Sequence, residues 1–221
     1  YDYYAPDFMN SVYADATFTD TLGSDWFYSA SVQGILQESV GNANSEAAKA
    51  VMGGEINAQQ IGAKISATYR DTTVMAAYTH VFSNSGDHDS LVLPWDGTPL
   101  FTNMLTANNL FMSDYGHGLE SDTAYIGGTT GMKIGVTEKL DFTGITGMIA
   151  SLSYAHYDGS RFIGGAEEDI NGELGYAIGN FSLALKGMWV SHNTAMGNDP
   201  HTAVKVNDEL TQYRVIANYK F

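Results

Sequence analysis

The side chains able to do covalent or metal chemistry are few, and their spacing does not suit it. Cysteine is absent from the 221 residues, which removes thiolate nucleophiles, thiolate metal sites and disulfides. The six histidines, at 80, 88, 117, 156, 192 and 201, show no metal-ligand spacing. Carboxylates gather at Asp87 with Asp89, at Glu167-Glu168-Asp169 and at Asp208-Glu209, but no twelve-residue calcium loop surrounds them, and they read as solvated loop ends. Nucleophile elbows, paired-carboxylate sites and phosphate-cradling glycine loops are missing too. The pattern points away from an enzyme and calls for no cofactor and no metal. What remains is electrostatic. Lys64, Arg70, Lys133, Lys186, Arg214 and Lys220 each fall on the polar parity of an alternating segment. Set along one wall, such cations form a basic ladder. The plain alternative is that alternation forces every charge to that side.

The elements that must carry these residues are β-strands. Tyr213, Val215, Ala217, Tyr219 and Phe221 share one parity, against Gln212, Arg214, Asn218 and Lys220. Phe181, Leu183, Leu185, Gly187 and Trp189 oppose Ser182, Ala184, Lys186 and Met188, and Ile170 to Ile178 alternates likewise. The two-residue Gly179-Asn180 connection joins these last runs as a tight hairpin. Similar runs occupy 12–18, 28–36, 61–70, 73–82, 124–136 and 148–154. The count is nine strands of about 8 to 14 residues, long enough to cross a hydrocarbon layer at a tilt.

Composition fits that reading. Charged residues make up 16% of the chain, against roughly 25% in soluble domains. The net charge of −15, with ten scattered Lys and Arg, excludes a nucleic-acid partner and leaves cations and small polar solutes. No run approaches 18 apolar residues, which excludes a transmembrane helix but not a barrel, whose apolar residues hide at every second position.

Connection lengths alternate. Turns near 20–25, 71–72, 138–144 and 179–180 are short; links near 39–57, 84–121, 158–166 and 192–208 are long and rich in Gly, Asn, Asp and Ser. Short turns on one side and long loops on the other are the layout of an outer-membrane barrel. Pro6, Pro94, Pro99 and Pro200 all lie in loops.

The terminal strand QYRVIANYKF ends on an aromatic and looks like the assembly signal of Gram-negative outer-membrane proteins, read by the assembly machinery. Together with it, DFMNSVYADATF and DFTGITGMIASLSYAHYDG resemble the C-terminal half of the OprD-family substrate-selective porins. Members commonly carry a Gly-Ile-Pro-Gly-Leu-like turn, and here Thr146 stands for the Pro and Met148 for the Leu. The resemblance spans essentially the whole chain. It implies an eighteen-stranded transmembrane antiparallel barrel of which residues 1–221 are the C-terminal half, the other half being expected before Tyr1. It also implies an outer-membrane channel for passive diffusion, in which Lys64, Arg70, Lys133, Lys186 and Arg214 line the pore; a loosely associated homotrimer would fit the family.

Two further groups follow from the barrel. The link 84–121 contains LVLPWDGTPLFTNMLTANNLFM, too apolar for a solvated loop. Either it folds into the lumen as a constriction bringing Trp95, Asp96, Asn103 and Asp114 near the passage, or it packs on neighbouring loops or a sister subunit. Tyr69, Tyr154, Trp189, Tyr219 and Phe221, with other aromatics of outward parity, suit the interfacial girdles. Expected surroundings are outer-membrane lipid and lipopolysaccharide, whose phosphates the carboxylate-rich loops would bridge through divalent ions. The competing readings are a plugged structural or adhesive barrel, which needs large side chains on the inward parity, and a soluble all-β binding protein.

Overall fold

The computed structural model describes residues 2–5, 8–41, 55–84, 91, 100–102, 104, 127–158, 166–194 and 206–220. Among the described residues, one antiparallel sheet contains every strand, each beside its sequence neighbour. The strands are β1 (Asp2–Ala5), β2 (Met9–Leu22), β3 (Trp26–Ser39), β4 (Asn57–Tyr69), β5 (Thr72–Val81), β6 (Thr130–Lys139), β7 (Met148–Asp158), β8 (Ala166–Ile178), β9 (Phe181–Thr194) and β10 (Val206–Tyr219). Nine of them have 10 to 14 residues, as the alternation predicts; the four-residue β1 was not expected. No described helix is long and apolar enough to cross a membrane; that has no bearing on strands.

The sheet is an open part of a barrel. Consecutive registers are continuous from β2 to β10, while β10 carries β9 on one side only. The two faces differ sharply. Val32, Leu36, Ile61, Ile65, Met132, Ile134, Leu152, Leu174, Leu185 and Val215 are all exposed on one face. The opposite parity carries Ser31, Gln33, Gln60, Thr79, Asp169 and Asn171, which are buried. A water-soluble sheet hides its apolar parity; here that parity is bare, as a lipid-facing surface requires.

Several boundaries move from their sequence positions. The β4–β5 turn is Arg70-Asp71 rather than 71–72, with Arg70 at φ 51, and β6 begins at Thr130 instead of 124, so the long link occupies residues 82–129. The β6–β7 connection covers 140–147 and contains a single 3-10 turn at Asp141–Thr143. There the Gly147 amide donates to Asp141 Oδ1 at 3.1 Å and its carbonyl accepts from Ala177. Gly147 sits at φ 86, and a Cβ would run into the Ala177 carbonyl, so glycine is required at that point of the GITG turn.

Candidate pore wall

Register lines up the polar parity in rows. One row runs Thr17, Ser31, Lys64, Ala77, Lys133, Ala155, Asp169, Val190, one residue per strand from β2 to β9. Lys64 and Lys133 therefore stand two strands apart, roughly 10 Å, with only the Ala77 methyl between them. Asp169 stands the same distance beyond Lys133, across Ala155.

The next rows towards the short turns are more polar. Ser29 and Ser66 exchange a 2.8 Å hydrogen bond, as do Thr68 and Thr73 at 2.9 Å. Lys186 Nζ lies 2.9 Å from Glu173 Oε2 on the neighbouring strand, and Arg214, opposite Lys186 on β10, donates from Nε to Gln212 at 3.0 Å. A concavity of about 490 Å³ opens beside the Lys186–Glu173 pair, lined in part by Thr137, Ser151, Ala184 and Asn218.

The outer half of this face is different. Ile35, Ala58, Val81, Ala155 and Tyr157 form a buried apolar cluster with Leu91, Leu100 and Met104 of the long link. Polar contacts complete it. The Phe101 amide donates to Gln33 Oε1 at 2.9 Å, the Tyr157 hydroxyl donates to the Thr102 carbonyl at 2.6 Å, and the Thr79 and Thr102 hydroxyls are 2.6 Å apart. The Phe101 ring lies 4.6 Å from the Lys64 ammonium. So the described part of the link lies against the polar-parity face, though the inner surface there is more apolar than alternation implied.

The sequence-predicted residues separate accordingly. Lys64, Lys133, Lys186 and Arg214 share the inward parity of four strands. Arg70 does not: it occupies the turn, 65% exposed, 3.5 Å from Asp25 and stacked 5.1 Å from the Tyr69 ring. Trp95, Asp96, Asn103, Asp114 and Phe221 lie outside the described residues. Tyr69, Tyr154, Trp189 and Tyr219 take the outward parity, with Tyr69 against Trp26 at 4.7 Å between ring centroids. The acid run at 167–169 is a correction. It is not a loop end but the start of β8, with Glu167 and Asp169 buried on the inward face and Glu168 outward beside His156 and the Tyr154 hydroxyl. Asp208-Glu209 likewise belongs to β10.

Sequence reasoning also missed two wall positions, Gly62 and Gly131. They lie in the row Gln33, Gly62, Thr79, Gly131, Tyr157, where a Cβ on Gly131 would come within 2.9 Å of Thr79 Oγ1 and 3.0 Å of Thr102 Oγ1. A glycine inside a strand run is the available signal for such close approach.

Comparison with solved structures places the architecture. OccK9 (OpdG) of Pseudomonas aeruginosa matches at TM-score 0.71 and 18% identity, over 99% of this chain and 48% of its own. This is the fold of half an OprD-type porin barrel. OprD of the same organism matches at 0.67 and 15%, covering 97% of this chain and 54% of that one. OccK2 (OpdF) of the same organism, in complex with glucuronate, matches at 0.58 and 18%, over 82% and 45%. The chain thus spans about half the length of the structures it matches. No family model matches it, and no curated protein does.

Proposed function

We propose that this half-barrel is part of the wall of a passive, substrate-selective diffusion channel in the outer membrane of a Gram-negative bacterium. Strands of the same kind complete the cylinder, because a bare strand edge in hydrocarbon leaves backbone groups unbonded. The observation that carries the reading is the pair of opposed faces: an apolar parity bare to its surroundings, and a polar parity carrying Lys64, Lys133, Lys186 and Arg214. The half-barrel fold shared with OprD and OccK9 supports it.

The solutes are small, polar and charged, and the cationic wall favours those bearing a carboxylate. Glucuronate in the OccK2 complex is a solute of that class. In a narrow lumen each ammonium acts on a passing ion with a strength between the bulk-water and dry-protein limits, screened over about 8–10 Å. Glu167, Asp169 and Glu173 temper this, so the wall sorts by the position of charge and not by net sign. The link 82–129 narrows the passage, a reading supported by the seating of residues 100–102 and 104 on the inner surface. The outward parity meets lipid and lipopolysaccharide, and the C-terminal strand serves assembly.

The test is a full-length channel in a planar bilayer under a salt gradient. Lys133→Gln with Lys186→Gln should move the reversal potential in the cation-selective direction, most at low salt. A plugged structural barrel is the second reading, favoured by the apolar cluster at Leu91, Leu100 and Met104. Absence of any conductance from protein that folds and inserts would establish it instead.

A further inference from the structure

Lys64 and Lys133 occupy one row but have different neighbours. Lys133 is flanked along the row by alanines, with Lys64 on one side and Asp169 on the other. Lys64 instead has an aromatic ring across its ammonium, because Phe101 lies 4.6 Å from Nζ. That ring is fixed from behind, since the Phe101 amide donates to Gln33 on β3. One residue on, Thr102 is seated between Thr79 on β5 and Tyr157 on β7, over the bare Cα of Gly131 on β6. In the row Gln33, Gly62, Thr79, Gly131, Tyr157, side chains stand at every second position and the glycines leave gaps. Five consecutive strands, β3 to β7, therefore each give one residue to holding two residues of the link, Phe101 and Thr102.

We propose that Lys64 is a positioning residue: stacked on Phe101, its ammonium locks the 100–102 segment into the slot opened by Gly131, and so sets the bore of the channel. The inference rests on the channel reading above and removes Lys64 from the ladder. An ammonium held on the face of a ring is desolvated on that side and directed at the link. The solute then meets Lys133 as the first rung in this row, with Asp169 two strands further on across Ala155.

The experiment uses full-length protein carrying Lys64→Met, Lys64→Arg, Phe101→Leu and the Lys64→Met/Phe101→Leu pair. Two properties are read: the rate at which chymotrypsin cuts after Phe101 in the folded protein, and single-channel conductance. Lys64→Met keeps the aliphatic stem and removes the charge, so cutting should speed up by about fivefold or more. Conductance should rise with it. Lys64→Arg, which also stacks, should restore both. Phe101→Leu should raise conductance as Lys64→Met does, and the pair should add little, since both break one contact. The proposal is overturned if Lys64→Met shifts the reversal potential but leaves cleavage and conductance as they were, or if the paired effects simply add. Should Lys64→Met not reach the heat-modifiable folded form, Phe101→Leu reads the same contact from the link side. Wild-type protein that folds but does not conduct sinks the channel reading, while the cleavage series still decides the anchor.

Discussion

On β8, Ile170, Leu174 and Ile178 point one way and Glu167, Asp169, Asn171 and Glu173 the other, one residue apart throughout. The apolar three are 41–60% exposed, whereas Glu167 and Asp169 are 2% and 0% exposed. In a soluble domain the two sets would trade places, because an ionised carboxylate is costly to strip of water and apolar surface is costly to leave in it. The inversion teaches that hydrocarbon lies on the apolar side, and that the carboxylates are enclosed on the inward one. It also separates two kinds of burial: one end of the inward face is covered by Leu91, Leu100 and Met104 of the link, while the Glu173 end opens onto the concavity beside Lys186.

Exchanging character between the faces is the harshest way to break the comparison. Leu174→Arg puts a guanidinium on the hydrocarbon side near mid-strand, where such a charge costs about 2–4 kcal/mol. Gly175→Arg, on the same strand but facing the concavity, should cost far less. Denaturant titration of both variants in lipid vesicles checks this, and equal losses would mean that the faces have been assigned wrongly.

A smaller effect separates the covered end of the inward face from the open one. Gly131→Val fills the slot under Thr102, where overpacking costs about 1–3 kcal/mol unless the link lifts away. The same change at Gly175, on the inward parity near the concavity, meets no atom nearer than 3.9 Å at its Cβ and should be milder. Thermal melting in detergent, with conductance as a second readout, distinguishes them.

The residues explain why one face was legible and its partition into halves was not. Period-two alternation marks sides, and it placed Lys64, Lys133, Lys186 and Arg214 on one parity without any contact being known. Depth and boundaries depend on what the chain meets across space. Glu167-Glu168-Asp169 looks like a solvated run because three acids in a row rarely enter a strand, yet parity divides it into two inward and one outward residue. Arg70 continued the alternation of β4 by type alone; the turn claimed it, with Asp25 as its partner. Gly62 and Gly131 carry no side chain for alternation to read, and the side chains that fill their gaps come from other strands and from the link.

The Lys186–Glu173 pair sharpens the open end. Its side chains are 23% and 37% exposed, so its net worth to stability is at most about 1 kcal/mol. Its electrical effect is larger than that. Glu173→Gln leaves the Lys186 charge uncompensated beside Arg214, and the reversal potential should move towards anion selectivity, more at low salt than at high. No shift at any salt concentration would show that the concavity lies off the ion path.

The smallest effect belongs to Arg70, outside both faces. Its pair with Asp25 is exposed and 3.5 Å long, which puts its contribution at about 0.2–1 kcal/mol. Its backbone pulls the other way, because φ 51 costs a side-chain-bearing residue about 1–2 kcal/mol relative to allowed geometry, and glycine avoids that cost. Arg70→Ala gives up the ion pair and keeps the strain, so it should lower stability slightly, and less so in high salt. Arg70→Gly gives up the pair and relieves the strain, so it should be as stable as the parent or a little more. Because the turn lies outside the inward rows, neither change should move the reversal potential. A shift with Arg70→Ala as large as that from Lys133→Gln would return Arg70 to the pore wall and extend the inward face into the β4–β5 turn.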